Sequence, residues 1–503
     1  MAWMDRHAWW LFGVFSVAFF VAAASHAAAR PLWHDEIVTL IVAGQPSLRD
    51  VGAALIDGAD FQPPLNTLLV RWVTAVAGTG PVQARLPAMA GVWIGCAALF
   101  AMVRRRSHAL LAVAAACLVA ETAVFRFAYE SRGYGLLFGC TAVAVWAWTE
   151  AAAGRRRRVT LPVLAGAAAL MMWTHYYAVL ILPPLAGAEA VRWYRSRVLD
   201  AGVATAVVAG LLAIAPLWPV TAGALARSAT FWARAAPLDP VGAYRFVLGP
   251  LLDPWLLIAL GLALIVGIGA AVVAASGKAA RLPRLAHPLP LHETVFLIVG
   301  LTMPLIGLAL GRFAGGFTPR YGLAVIVVVA LAVTMGAWQM SRRRARVDLI
   351  VVGALVAAFA MSVADARSPE RATFVDPCGI RPALRDELAA GRTVAVTGGL
   401  TFAQLWYYCP AETRESIVYA ADPDEAARLS GTDTLDRGLQ VLSRWAPMTV
   451  LSYEGLLARG DAFDVYSYGS GWLLDRVERD ERLVVERVPR DDPGARIFNV
   501  RKR

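Results

Sequence analysis

Charge is scarce in this chain. Only 17% of its 503 residues are Asp, Glu, Lys or Arg, against 58% hydrophobic ones, and the mean hydropathy is +0.55. That balance excludes an ordinary soluble globule. Cysteine is scarce too: there are five, with no Cys-x-x-Cys pair and no His/Cys spacing that could hold structural zinc. Cys96, Cys117 and Cys140 fall in apolar runs and read as packing residues. Cys378 and Cys409 fall in the polar tail, where bridged and free forms both stay open. No glycine-rich phosphate loop opens a helix, so no nucleotide is assigned. No tandem repeat is visible and no two halves look alike, which counts against a transporter built from related halves.

What is present is a series of long apolar runs separated by short basic clusters. The clusters are Arg104-Arg105-Arg106, Arg155 to Arg158, Arg192/Arg195/Arg197, Lys278/Arg281/Arg284 and Arg342-Arg343-Arg344/Arg346. Their spacing is a positive-inside signature, so the net charge of +11 reports topology. No basic face with interleaved aromatics lies in a soluble region, which excludes a nucleic-acid partner. Spans are expected at about 8–29, 83–103, 108–127, 133–152, 160–176, 177–193, 199–222, 251–275, 292–311, 320–340 and 348–366. These eleven spans put the N-terminus and every cluster inside, and everything after Arg367 outside. The first run is read as a retained span, since it is longer than a usual signal-peptide core and its leading segment is weakly basic.

The expected organisation is a mainly α, polytopic transmembrane bundle over 1–366, followed by a small extracytoplasmic α/β domain over 367–503. In the first outer loop, Ser47 can cap a short helix through Ile56, and Leu65 to Ala77 reads as a second, interfacial helix ended by Gly78. In the tail, strands are expected at Arg392–Val396, Ser416–Tyr419, Met448–Ser452 and Leu483–Val488. Helices are expected at Thr401–Tyr408, Asp422–Leu429 and Thr434–Trp445.

The most informative residues are Asp35 and Glu36, in Pro31-Leu32-Trp33-His34-Asp35-Glu36 just after the first span. An acidic pair beside a membrane is costly unless solvated, paired or used. The topology gathers other unusual residues at the same outer face: Asp60, Gln62, Arg85, Glu130, Arg132, His175, Arg320 and Tyr321. Carboxylates, arginines and tyrosines at one face suit a polar anionic headgroup whose acyl part lies among the helices. The matching chemistry is transfer from a lipid-phosphate sugar. A carboxylate takes the proton of an acceptor hydroxyl, and an arginine or a metal offsets charge on the departing phosphate. Attack in line with the leaving group inverts the anomeric centre.

These residues also carry a resemblance. Trp33-His34-Asp35-Glu36 resembles the Asp-Glu motif of the GT-C membrane glycosyltransferases, most of all bacterial relatives of protein O-mannosyltransferases and the lipid A aminoarabinose transferases. Gln62-Pro63-Pro64-Leu65 is similar to their Pro-Pro-Leu segment, which more often has His before the prolines. Arg85-Leu86-Pro87 resembles their Arg-x-Pro start of the second span. Glu130-Ser131-Arg132-Gly133-Tyr134 is similar to their acidic-x-Arg-x-Tyr stretch, with Gly133 where proline is frequent. Pro319-Arg320-Tyr321 resembles a Pro-Arg-Tyr element of the bacterial members.

The resemblance implies a polyprenyl-phosphate-linked sugar as donor and a glycan, lipid or protein acceptor on the outer face of the cell membrane. It makes Asp35 the catalytic acid and Glu130 the second acid; Glu36 is counted with them among the catalytic residues, though as an orienting or surface companion more than as the base. Arg320, helped by Arg132 or Arg85, would hold the donor phosphate, and Tyr321, His175 and Gln62 would bind substrate. Asp35 and Glu130 could hold Mg²⁺ or Mn²⁺ or could pair with arginines, and no metal is expected to be obligatory. Bland readings stand beside these. Glu130 could merely pair with Arg132 or Arg126, Arg85 and Arg320 could anchor helices at the headgroups, and His175 could be a belt residue. Phe231-Trp232-Ala233-Arg234 reads as a gate or as interfacial packing. The alternative functions are a lipid or glycan flippase and a non-catalytic assembly or sensor protein.

Overall fold

The computed structural model describes residues 2–226, 230–234, 237–252, 289–313, 315–340, 345–368, 373–468, 471–492 and 494–503. Four helices are long and apolar enough to cross a membrane: Ala8–Ala29, Pro81–Arg106, Tyr134–Ala152 and Ala201–Ala226. Two bent pairs, Ala109–Ala120 with Ala123–Tyr129 and Leu291–Leu301 with Met303–Gly311, raise the number to six. The chain is thus a multi-pass bundle, but eleven spans are not reached by length and composition among the described residues. Most of the run expected at 251–275, with the cluster Lys278/Arg281/Arg284, lies outside them. The expected pair at 160–193 is a helix Arg157–Thr174, a tight turn Tyr176–Ile181 and a helix Leu182–Ser196. His175 breaks the run because its backbone is extended, at φ −159° and ψ 136°.

The Pro81–Arg106 helix gives the bundle its scale. From Arg85 to Arg105 is 20 residues, and at 1.5 Å each these cover about 30 Å, the thickness of a hydrocarbon core. Its basic end meets other basic clusters. Arg105 pairs with Glu150, and Arg106 with Glu293 at 2.6 Å. Arg157 and Arg192 both reach Asp200, at 2.5 and 3.0 Å. Asp5 joins them by accepting from the Ala109 N–H at 2.8 Å. Three of the arginine clusters and the N-terminal helix therefore share one end, and Asp35 lies at the other.

Small residues let the helices close up. A Cβ on Gly91 would lie 2.6 Å from the Gly135 carbonyl of the Tyr134–Ala152 helix, so the two backbones touch where glycine alone fits. Gly91→Val must push these helices apart, and overpacking of this kind costs about 1–3 kcal/mol. The expected result is a lowered unfolding midpoint in detergent, and an unchanged midpoint would refute close approach here.

The first outer loop carries the two expected helices, Leu48–Asp57 and Leu65–Ala77. Ser47 caps the former, accepting from Asp50 N–H at 3.1 Å. A third helix, His34–Ala43, starts at the acid pair itself and was not expected. Its N-cap is Trp33, which has no small polar side chain to announce a helix start. Asp35 and Glu36 occupy its first turn, where carboxylates suit the positive end of the helix.

The sheet lies wholly in the tail. Its strands are β1 (Val394–Val396), β2 (Ile417–Ala420), β3 (Thr449–Leu451), β4 (Ala462–Ser467), β5 (Leu483–Asp492) and β6 (Ala495–Lys502). Their order is β3-β2-β1-β4-β6-β5, with β1 to β4 mutually parallel and β6 antiparallel to both neighbours. Ala395 pairs with Val418 on one side and Val465 on the other. The expected strands and helices correspond to β1, β2, β3, β5 and three of the helices. Missed were β4 and β6 and the helices Pro382–Ala389, Tyr453–Ala458 and Trp472–Arg479. Cys378 and Cys409 are joined in a disulfide.

The tail docks on the first outer loop. The Gly399–Tyr408 helix grips Leu32 at both backbone groups: Leu32 N–H donates to Tyr408 Oη at 2.6 Å, and Gln404 Nε2 donates to the Leu32 carbonyl at 3.0 Å. Trp445 Nε1 donates to Asp57 at 3.1 Å. Thr432 Oγ1 donates to the Thr230 carbonyl at 2.8 Å, and the Trp232 N–H donates to Thr434 Oγ1 at 3.0 Å.

Candidate active site

A cavity of about 960 Å³ opens between the non-basic end of the bundle and the tail domain. Asp35, Gln62, Arg132, His175, Arg320 and Tyr321 line it. Six of the expected site residues are thus brought together from five separate parts of the chain.

Asp35 reaches the cavity from the first turn of its helix, and its side chain is 23% exposed. Arg132 holds it from behind. The Arg132 Nε stands 3.9 Å from Asp35 Oδ2, and Nη1 donates to Asp60 Oδ2 at 2.9 Å and to Thr39 Oγ1 at 3.0 Å. Gln62, with its amide oriented to satisfy both ends, accepts from Arg132 Nε and Nη2 at 3.2 and 3.1 Å. These protein acceptors occupy most of the guanidinium, so Arg132 acts as a clamp on Asp35 and Asp60. Asp60, singled out in the sequence without a role, is the second carboxylate of this clamp and is 4% exposed.

Arg320 differs from Arg132. Among the described residues no carboxylate lies within ion-pair distance of it, and its Nε is buried without a partner. The rings of Trp33, Tyr134, Trp232 and Tyr321 surround its guanidinium carbon at 5.8, 5.6, 5.5 and 6.0 Å. Aromatic faces hold a cation in place without neutralising it. His175 Nδ1 accepts from Tyr177 N–H at 3.1 Å, and its ring lies 4.8 Å from Tyr321. The His175 break is what places these rings at the cavity. His34, beside Asp35, has a buried Nδ1 without a partner. Burial holds its imidazole below the ordinary range, against the opposing pull of Asp35.

Glu36 and Arg85 do not line the cavity. Glu36 is wholly buried. Its oxygens accept from Arg85 Nε and Nη2 at 2.8 and 2.7 Å, from Ser131 N–H at 2.6 Å and from Trp33 N–H at 3.2 Å. The remaining Arg85 N–H groups go to the carbonyls of Ala27, Arg30 and Pro31. With both charges satisfied by each other and by backbone, the pair is a joint between the first helix, the acid turn and the Glu130 loop. Glu36→Gln leaves Arg85 buried and half matched, a loss of about 3–5 kcal/mol. A large drop in folded yield is expected, partly reversed by adding Arg85→Met. No gain from the second change would argue against the joint.

Glu130 also stays behind the cavity wall. It is 7% exposed and its Oε1 has no hydrogen-bond partner. Burial, and next the charge of Glu36, push its carboxyl up to about 7 from 4.5. The folded protein therefore keeps a proton that the unfolded chain releases, and stability falls as pH rises from about 4.5 to about 7. Glu130→Gln is expected to raise the unfolding midpoint at pH 8, by an amount on the order of 3 kcal/mol, and to leave it unchanged at pH 4. Equal gains at both pH values would contradict a buried, titrating carboxyl. Among the described residues no group of three His, Cys, Asp or Glu side chains could hold a metal ion. Asp35 and Asp60 share Arg132 instead.

Known proteins supply two likenesses. The model of a family described as dolichyl-phosphate-mannose-protein mannosyltransferase matches residues 61–219. That segment contains the motifs at Gln62, Arg85 and Glu130–Tyr134, while Asp35 precedes it and Arg320 follows it. Among solved structures, ArnT from Cupriavidus metallidurans bound to undecaprenyl phosphate matches with a TM-score of 0.55 at 12% identity, covering 97% of this chain and 98% of that one. The apo form of the same protein gives 0.49 at 14% identity, covering 97% of each chain. No curated protein matches the chain. At this identity the likeness is one of fold, and it extends over bundle and tail together. Both likenesses agree with the resemblance carried by the motifs.

Proposed function

We propose that this protein is a membrane glycosyltransferase that moves a sugar from a polyprenyl-phosphate donor to an acceptor hydroxyl on the outer face of the cell membrane. The observation that carries the reading is the pairing, in one cavity at one end of the bundle, of a clamped carboxylate, Asp35, with an unneutralised arginine, Arg320. The family match over 61–219 and the fold shared with a protein crystallised with undecaprenyl phosphate support the donor class.

In this reading the donor lies with its lipid among the bundle helices and its phosphate against Arg320. Asp35 takes the proton of the acceptor hydroxyl, whose oxygen forms a bond to the anomeric carbon. The bond from that carbon to the phosphate oxygen breaks, and the phosphate leaves with the electron pair. Arg320 offsets the charge that develops there. Attack opposite the leaving group inverts the centre. Arg132 and Asp60 keep Asp35 in place, and Tyr321 and His175 shape the pocket around the sugar. Glu130 acts from behind the wall, and no step needs a metal. The Cys378–Cys409 bridge fits an oxidising compartment, and so favours a tail on the outer side.

The test is transfer of radiolabel from an undecaprenyl-phosphate sugar in proteoliposomes holding the whole chain, with envelope glycans, lipids and proteins offered as acceptors. Release or transfer of the sugar above protein-free vesicles is the expected result. Lipid flipping without loss of sugar would favour the transport alternative and overturn the reading.

A further inference from the structure

The far wall of the cavity belongs to the sheet domain, and it has the form of a ligand crevice. From β1 the chain proceeds to β2 on one side, while β4 lies on the other, so the strand order reverses between β1 and β4. In open sheets with parallel strands, ligands settle outside the carboxyl ends at such a reversal. Here that crevice faces the cavity, through Thr397, Gly398 and Gly399 after β1 and Gly471 and Trp472 after β4.

Two helices start at the crevice, Gly399–Tyr408 and Trp472–Arg479. Gly398 and Gly471 are their N-caps, and neither helix has a side-chain cap. The first-turn N–H groups thus lack the side-chain acceptor that usually serves them. Between the two starts lies Thr397, 9% exposed, with a hydroxyl that has no partner. A Cβ on Gly471 would come within 3.3 Å of Thr397 Cβ, so the two loops meet at this hydroxyl.

Charge decides what the crevice accepts. The cavity residues contributed by the sheet domain include Asp436 and Asp475 and, among the described residues, no Arg or Lys. Asp436 accepts from Tyr419 Oη, Trp472 Nε1 and Asp422 N–H at 3.1, 3.0 and 2.9 Å, which fixes two aromatic rings at the wall. A phosphate would meet two carboxylates here. Uncharged hydroxyls can donate to carboxylates and accept from helix N–H groups, and aromatic faces suit the apolar side of a sugar ring. Among the described residues the cavity's arginines thus lie on the bundle side, beside Asp35 and Asp60, and its sheet side offers carboxylates and hydroxyls with no cation to offset them.

We propose that the carboxyl ends of β1 and β4 form a subsite for an uncharged, hydroxyl-rich glycan, the acceptor of the transfer. The word acceptor rests on the sugar-transfer reading above, whereas the subsite itself does not. Gly398 offers a clean probe: at φ −99° it can take any residue, and a Cβ there meets only Thr401, at 3.6 Å.

The experiment titrates the full chain in nanodiscs with a panel of neutral hexose oligosaccharides, each paired with a phosphorylated counterpart. Neutral members are expected to bind, and phosphorylated ones about tenfold more weakly. Thr397→Val, which removes only the hydroxyl, should weaken neutral binding about fivefold to tenfold. Gly398→Leu, which fills the crevice, should abolish it. Preference for the phosphorylated forms, no binding by any neutral member, or wild-type affinity in both variants would overturn the subsite. Undecaprenyl phosphate is titrated in parallel against wild type and Arg320→Gln. Glycan binding without lipid-phosphate binding would leave the subsite standing and remove the transferase reading. The reverse pattern would remove the subsite alone.

Discussion

Asp35→Asn is expected to lower sugar transfer by about 10²–10⁴-fold, the range for a positioned general base. The change keeps size and shape, and the 3.9 Å approach to Arg132 can persist as a polar contact. Loss should therefore fall on kcat, with the KM for the donor nearly unchanged. Folding should be unaffected, because the side chain is 23% exposed and its helix keeps Glu36 in the first turn. Asp60→Asn differs: Asp60 is buried against Arg132, so its loss should lower stability as well as rate. Wild-type turnover in Asp35→Asn, measured in proteoliposomes with matched protein content, would remove Asp35 from the chemistry.

Arg320→Gln is expected to lose about 10²–10³ in rate and to weaken the binding of undecaprenyl phosphate. Its signature differs from that of Asp35→Asn, since a group that meets the phosphate in both ground and transition states moves KM as well as kcat. Arg320→Lys should recover little. Four rings surround the guanidinium carbon at 5.5 to 6.0 Å, and that cage suits a flat, delocalised cation better than a compact ammonium. Full recovery by lysine would show that charge alone is needed. Undiminished lipid-phosphate binding in Arg320→Gln would place the phosphate elsewhere.

Much of this was legible in the sequence because it rests on short-range rules. Ser47 with Asp50, the double proline before Leu65 and the glycine at 78 mark the helices of the first outer loop by local chemistry. The convergence of Asp35, Arg132 and Arg320 followed from topology, since residues at the same ends of successive spans must share a face. What was not legible depended on partners far along the chain. Glu36 and Arg85 lie 49 positions apart, and nothing in either neighbourhood says that each satisfies the other. Asp60 has its role only through Arg132. The His34–Ala43 helix lacked a small polar cap. Strand β4 is buried along Phe463 to Ser467, so it offers no alternation of polar and apolar faces. The crevice at Thr397 was not legible, because its other half, at Gly471, stands more than 70 positions later.

The grip of the Gly399–Tyr408 helix on Leu32 has a consequence for biogenesis. Leu32 is three residues before Asp35, yet the groups that hold its backbone are made some 370 residues later. Chains emerge from the N-terminus and fold in that order. The brace at Leu32 must therefore wait until the tail domain is complete, whereas Arg85 and Arg132 hold the acid turn from the bundle before then. A chain stalled or truncated in synthesis would sit in the membrane with the bundle side of the cavity formed and the acid turn lacking its grip at Leu32. Assembly order would then make the final fit of the acid turn depend on closure of the tail over the first loop.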